Sequence, residues 1–552
     1  MGNSNWTRRQ FLTRVGQAGG VGALYETMTV LGLINVPDVF PGPPRLPVGY
    51  GAGKSVVILG GGIGGLTAAY ELRKVDYQVT IVEAFSKLGG RSKTLRRGDQ
   101  IIEQSNLHGR TVQTCNFDEG LYLNAGPGRL PYHHRRVLHY CSAEELNVPL
   151  EIYVMNTSAN LFQTQAAFGG EAHTYQRVAH DTQGHIAELL AKAITRGNLD
   201  FELSEEDQSN MLDLLRRYGP LGQGDCSNDI AYCRTGCRRP LTVYQDCLPN
   251  AKLRLSDLLD SRFWDHNFYQ PNEYEWQPTL FQPAGGMDKI VQGFQSKLED
   301  MGVTILLDSP VSDIQIRADD VRVEYSGGML TADTCISNIP LPVLKGIPAN
   351  FSSDFRSAVN TVRFAPTCKV GWQANERFWE AEEIYGGISW IDHPIVQIWY
   401  PSNDYFSQKG TLTGAYNFSN TAFTMGAMSL SERLRVAREG GIRLHSKFLN
   451  YGVVPEDKGL SVAWYNVPYQ KGGWAYYEPG NPEDDQAYSR LLSPDGSGRF
   501  YVVGDQVSSL PGWQEGAMMS AQHVVEQMGE LRSKKVRRDV RAPDSKALTE
   551  GW

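Results

Sequence analysis

Across 552 residues there is no uninterrupted apolar run of the roughly 18 residues that a membrane-spanning helix needs, which removes that class of protein. A basic stripe is missing too. With a net charge of −8 and no clustered Lys and Arg to neutralise phosphates, neither nucleic acid nor an anionic membrane surface is expected as a partner. Cysteine is scarce, eight in all, and the spacings do not match a paired C-x-x-C zinc pattern. Four of them, Cys226, Cys233, Cys237 and Cys247, share one glycine-containing stretch without a histidine. That grouping leaves a local disulfide or unpaired buried thiols open and disfavours a metal. No internal repeat, low-complexity tract, metal motif or Ser-His-Asp arrangement is apparent, so no metal is expected. Apolar residues make up 41% and charged residues 21%, which is ordinary for a folded chain. The length calls for two or three domains.

The first residues read as an address. Thr7-Arg8-Arg9-Gln10-Phe11-Leu12 precedes a Gly- and Ala-rich stretch from Val15 to Leu24, the pattern of a twin-arginine leader for proteins exported already folded. The expectation is a periplasmic or secreted protein, or a cytoplasmic one if the leader is not functional. Beyond the proline-rich Pro37 to Pro47, Ser55 to Leu59 reads as a strand and Leu66, Ala69, Tyr70 and Leu72 as one helix face. Gln78 to Val82 reads as a second strand ending in Glu83. Helices are expected over His185 to Arg196 and Asp207 to Tyr218. Strands at Val303 to Leu307, Val321 to Tyr325, Thr334 to Ser337 and Arg499 to Val503 suggest returns to the first sheet. The basic stretch Arg532 to Arg541 reads as a frayed end.

Gly60, Gly62 and Gly65 lie between that first strand and helix, with Glu83 about twenty residues on, the layout of a dinucleotide crevice. The glycines permit a tight turn and close approach of a pyrophosphate to the helix N-terminus, whose free N–H groups suit an anion. Glu83 can accept hydrogen bonds from ribose hydroxyls. This unit alone leaves NAD and FAD equally open.

Leu88-Gly89-Gly90-Arg91-Ser92 resembles the GG-R signature of the flavin amine oxidase superfamily. Phe281-Gln282-Pro283-Ala284-Gly285-Gly286-Met287, Pro310-Val311 and Gly504-Asp505 follow in the family's order, so that the resemblance covers about Ser55 to Met528. Asn124-Ala125-Gly126-Pro127-Gly128-Arg129-Leu130-Pro131 is similar to a segment of its L-amino-acid oxidases. The resemblance implies an α/β chain: a Rossmann-like FAD-binding domain, a mixed-sheet substrate-binding domain and a helical insertion. The divisions expected are a leader over 1–36, FAD-binding parts over 50–110, 276–345 and 466–535, and substrate-binding parts over 111–165 and 346–465. The helical insertion then occupies 166–275 and a tail 536–552. Non-covalent FAD would lie against Gly60, Gly62, Ile63, Gly64, Gly65, Glu83, Gly90, Arg91, Gly128, Arg129, Val311, Gly504, Asp505, Gly512 and Trp513. Arg91 would add charge near the diphosphate, Val311 its backbone to the adenine, and Asp505 a contact to the ribityl or phosphate portion.

The same resemblance implies that Arg129 clamps the substrate carboxylate by two parallel hydrogen bonds. Tyr400 would add a hydroxyl to that carboxylate. Adjacent strand residues face opposite ways, so Trp399 and Tyr400 cannot both line the pocket, and the expectation falls on Tyr400. Trp474 would wall the side-chain pocket, Gly512 would offer its carbonyl to the amine beside Trp513, and Lys369 would act near flavin N5 on oxygen. The reaction implied is oxidation of a large apolar or aromatic L-amino acid by dioxygen to a 2-oxo acid, ammonia and hydrogen peroxide. A decarboxylating monooxygenase, an amine oxidase and a flavoprotein without turnover are the alternatives, and a homodimer or higher oligomer is expected.

Overall fold

The computed structural model describes residue 40 and residues 42–219, 234–239, 242–245, 248–266 and 273–536. The expected leader, Cys226, Cys233, Cys247 and the residues after 536 lie outside the described residues. Cys237 is disulfide-bonded, whereas Cys115, Cys141, Cys335 and Cys368 are free and buried.

Three distant stretches of chain build one five-stranded parallel sheet. Its spatial order is Thr304–Leu306, Gln78–Val82, Ser55–Leu59, Thr334–Ser337 and Phe500–Val502. Ser55–Leu59 is apolar at every position after the first because both of its faces are covered. Val56 and Ile58 enter a core shared with the helices Ile63–Arg73, Lys289–Asp300 and Gln514–Val536, while Val57 and Leu59 enter another with Phe355, Val359 and Phe500. Each such side chain contributes roughly 1.5–3 kcal/mol on burial.

Val321–Tyr325 does not join this sheet. It is the middle strand of an antiparallel meander with Val311–Ile316 and Gly328–Ala332, because short turns on both sides favour neighbours in sequence as partners. The last helix runs to Val536, into the basic stretch read as frayed. The helix expected from His185 begins at Tyr175, where the Thr174 side chain accepts from the Arg177 N–H and caps it. It packs on Glu205–Tyr218 around Ala187, Ile194 and Leu215. Among the described residues no helix is long and apolar enough to cross a membrane.

A second, seven-stranded sheet is mixed. Its order is His173–Thr174, Leu161–Gln163, Ile388–Ile391, Gln397–Trp399, Gly410–Phe418, Thr367–Ala374 and Gly459–Ala463. Leu161–Gln163 runs parallel to Ile388–Ile391 and the other pairs are antiparallel. Every residue of Thr367–Ala374 is buried, including Lys369.

Candidate active site

A cavity of ≈ 630 Å³ runs from the glycine turn after the first strand to Lys369, Trp474 and Trp513. Gly60 turns with φ +96°, and the helix starts at Ile63 with no side-chain cap on its free N–H groups. Gly60, Gly62, Ile63 and Gly64 border the cavity. A Cβ on Gly62 would lie 2.6 Å from the Asn338 side-chain nitrogen, and one on Gly64 would lie 2.9 Å from its oxygen. At Gly64 the Gly504 backbone nitrogen also stands 2.9 Å away, so bare backbone is required there.

Gly65 does something else. It stays off the cavity wall, and a Cβ on it would stand 2.2 Å from the Gly60 carbonyl, so this glycine seats the helix on the turn. Glu83 borders the cavity but is already engaged: it accepts from the Gly61 N–H at 2.7 Å and the Phe85 N–H at 2.9 Å. Burial raises its pKa against those two bonds. Val311 lies on the wall, as do Gly90 and Arg91. Gly504 does not, since its N–H is donated to Ser520 Oγ at 2.8 Å; its φ of +114° turns the chain so that Asp505 can face inward.

Arg91 reaches the wall already paired. Its guanidinium donates to both carboxylate oxygens of Asp505, one at 3.2 Å, and to the Gly473 carbonyl. Asp505 also accepts from the Gly512 N–H at 2.8 Å. Instead of a free positive charge, this end of the cavity carries a neutralised pair that pins Gly512 and the strand Trp474–Tyr476 in place.

Arg129 is the opposite case. Its side chain is buried, with Cζ 4.3 Å from the Trp276 ring centre, 4.8 Å from Trp513 and 5.7 Å from Trp399. Its Nε has no hydrogen-bond partner, and no carboxylate forms an ion pair with it among the described residues. Burial accordingly lowers its pKa. Cation–π contact offsets part of that cost, but an anion seated on the guanidinium would offset far more.

Lys369 donates to the Gly126 carbonyl at 2.6 Å and lies 4.5 Å from the Tyr416 ring centre. Burial, with the Arg129 charge adding to it, brings its pKa down to about 7. Trp474, Gly512 and Trp513 complete this end of the cavity.

Five expected site residues are placed elsewhere than on the main cavity wall. Gly128 and Arg129 do not border the main cavity. Gly128 faces a second cavity of ≈ 60 Å³ that shares Lys369 with the first, and Arg129 is enclosed by its three tryptophans. Tyr400 also borders that second cavity, but its hydroxyl is turned into the core, where it donates to Ser389 Oγ at 2.8 Å and lies 2.6 Å from His445 Nε2. Trp399, on the other face of the strand, is the residue that reaches Arg129. Gly65 and Gly504, described above, also stay off the main cavity wall.

Residues missed in the sequence are Asn338, Tyr416 and Trp276. Tyr416 stands opposite Lys369 in the ladder between Thr367–Ala374 and Gly410–Phe418, a pairing that no local signal announces. Asn338 directly follows the strand Thr334–Ser337, a position at the carboxyl end of a parallel strand that could have singled it out.

Residues 63–529 match the model of the flavin containing amine oxidoreductase family. The chain belongs to that family. The flavin-dependent L-tryptophan oxidase RebO of Lentzea aerocolonigenes is 24% identical over 499 residues, covering 85% of this chain and 96% of that one. The L-amino-acid oxidase of Siganus canaliculatus is 25% identical over 485 residues, covering 84% and 83%. Among solved structures, putrescine oxidase bound to putrescine superposes with a TM-score of 0.55 at 16% identity, covering 86% of this chain and 99% of that one. Cyclohexylamine oxidase from Brevibacterium oxydans IH-35A gives 0.53 at 15% identity, covering 87% and 99%. These likenesses establish the amine oxidase fold.

The residues present fit the family's flavin. Free helix N–H groups beside bare glycine backbone suit a phosphate, Glu83 ends the second strand where a ribose is bound in such folds, and the same cavity continues to Lys369 and Trp474.

Proposed function

We propose that this family member is an FAD-dependent oxidase of L-amino acids, forming a 2-oxo acid, ammonia and hydrogen peroxide. The observation that carries it is Arg129: a buried guanidinium that forms no ion pair among the described residues, beside the cavity, in a fold whose amine substrates would have no use for one. The relatives named as L-amino-acid and L-tryptophan oxidases support the same reading.

When bound, FAD supplies the acceptor for the Cα hydride and passes the electrons on to dioxygen. The chain's part is placement and charge. Arg129 takes the carboxylate through two charge-assisted hydrogen bonds. With the carboxylate held there and the side chain against Trp474, one enantiomer alone turns its Cα hydrogen toward the cofactor. The Tyr416 ring covers Lys369 and borders the substrate space. Lys369, charged below about pH 7, stabilises negative charge developing on oxygen and holds the water that hydrolyses the imine. Gly512, held on Asp505, keeps the start of the helix Gln514–Val536 at the cavity, where its positive end favours negative charge.

Peroxide release with matched L-phenylalanine, D-phenylalanine and phenethylamine tests this. Activity confined to L-phenylalanine is expected, with phenylpyruvate as the organic product. Equal turnover of phenethylamine would replace the reading with an amine oxidase, and phenylacetamide as product would replace it with a decarboxylating monooxygenase.

A further inference from the structure

The loop that carries Arg129 continues into two histidines with no part in the reaction above. The strand Leu130–Pro131 pairs antiparallel with Phe281 and Leu280, and the Tyr132 N–H extends the pairing to the Thr279 carbonyl at 3.0 Å. This zipping brings His133 and His134 against Glu275, which is far off in sequence. His134 Nε2 lies 3.0 Å and His133 Nε2 3.2 Å from the same oxygen, Glu275 Oε2. All three ligand atoms lie within 4.8 Å of one another.

We propose that His133, His134 and Glu275 form a binding site for a divalent transition-metal ion of the zinc type. Two imidazoles and one carboxylate are a ligand set that zinc accepts, with a fourth position left to water. Bonds of about 2.0–2.1 Å arranged tetrahedrally set neighbouring ligand atoms roughly 3.3 Å apart. The two nitrogen–oxygen separations are already close to that edge, so a metal replaces the two hydrogen bonds by modest ring rotations. The rings are held to the task. His133 stacks on Tyr274 with centroids 4.0 Å apart, and His134 meets Trp513 edge-on at 4.8 Å, so neither imidazole is free to swing away. His134 is buried, and His133 and Glu275 are 13% and 26% exposed, which leaves an entry path for the ion. Two imidazoles with a single carboxylate, one of the rings buried, distinguish it from an acidic surface patch.

Metal bound here ties the Arg129 loop to the turn Tyr274–Trp276, whose last residue covers the Arg129 guanidinium. The ion would therefore act as a clasp on the aromatic enclosure of Arg129 without touching the reacting atoms.

The test uses tag-free, flavin-loaded protein stripped with EDTA and dialysed against Zn2+ or Co2+. One equivalent per chain is expected at micromolar metal, with a rise of a few degrees in Tm and cobalt ligand-field bands to the red of the flavin absorption. Glu275→Gln and His133→Asn are expected to lose the stoichiometric metal, the bands and the Tm rise together. X-ray absorption at the zinc edge of the unmodified protein is expected to show two imidazoles in the metal's shell, a readout that does not depend on the variants folding. Absence of stoichiometric binding, a shell without imidazole, or binding retained by both folded variants would overturn the proposal.

Discussion

Arg91, on the cavity wall, meets both oxygens of Asp505 and the Gly473 carbonyl, whereas Arg129, set beside the cavity-lining Trp513, meets three tryptophan rings and, among the described residues, pairs with no acid. The first guanidinium is spent on the fold, tying a glycine turn to Gly512 and to a distant strand. The second is left electrically incomplete. A buried cation that the protein does not neutralise is costly to keep, and a ligand that brings its own carboxylate recovers that cost on binding. On the proposed function, specificity for an acid arises from what the fold withholds at one arginine and supplies at the other.

The contrast is broken most directly at Arg129. Arg129→Met is expected to lower kcat/KM for L-phenylalanine by roughly three decades, about 4 kcal/mol, the scale for removing one partner of a buried charged pair. The same variant without substrate is expected to melt higher than the parent, because an apolar side chain replaces an unpaired charge. Unchanged steady-state peroxide kinetics, or a lower Tm by calorimetry, would make Arg129 a structural residue like Arg91.

Lys369 sharpens the contrast next. Lys369→Met is expected to slow reoxidation by dioxygen about 100-fold, measured by stopped-flow mixing of reduced enzyme with oxygen. In the parent this rate is expected to fall as pH rises through about 7, as the lysine loses its charge. Between that value and the ordinary lysine range the unfolded chain holds one more proton than the folded one. Stability therefore rises with pH across this window, and the Tm advantage of the methionine variant should shrink from pH 6 toward pH 10. A reoxidation rate independent of both pH and substitution would assign oxygen handling elsewhere.

The smallest effects separate the two tyrosines. Tyr400→Phe removes a hydroxyl bonded to Ser389 and His445 in the core and is expected to cost about 1–2 kcal/mol in a denaturant titration, with KM unmoved. Tyr416→Phe is expected to raise KM for the amino acid a few-fold with no change in the denaturation midpoint. An exchange of these outcomes would restore Tyr400 to the pocket.

Much of the cofactor half was legible because its signals are local. Strand, glycine turn, helix and acidic residue follow one another between Ser55 and Glu83, and each dictates its neighbour's geometry. The later strands at Thr304–Leu306, Thr334–Ser337 and Phe500–Val502 could be seen as apolar runs, but Val321–Tyr325 looks the same and belongs to a different sheet. Apolarity reports burial, not partner. The substrate half was less legible because its side chains are selected by facing. In Gln397–Trp399 and the residue after it, a single step of register exchanges Trp399 for Tyr400.

Sequence alone determined the bare-backbone crevice, the acidic residue at the end of the second strand and the family to which the chain belongs, since backbone geometry at glycine and helix starts is set by a few adjacent residues. Tertiary structure alone decided that Arg91 is paired and Arg129 is not, that Tyr416 rather than Tyr400 stands over Lys369, and that Glu275 meets two histidines. The Tyr400 expectation concerns a hydroxyl for the carboxylate and not a ring over Lys369; these outcomes depend on pairings such as Lys369 with Tyr416 and Pro131 with Leu280, and long-range register is the quantity that spacing along a chain does not carry.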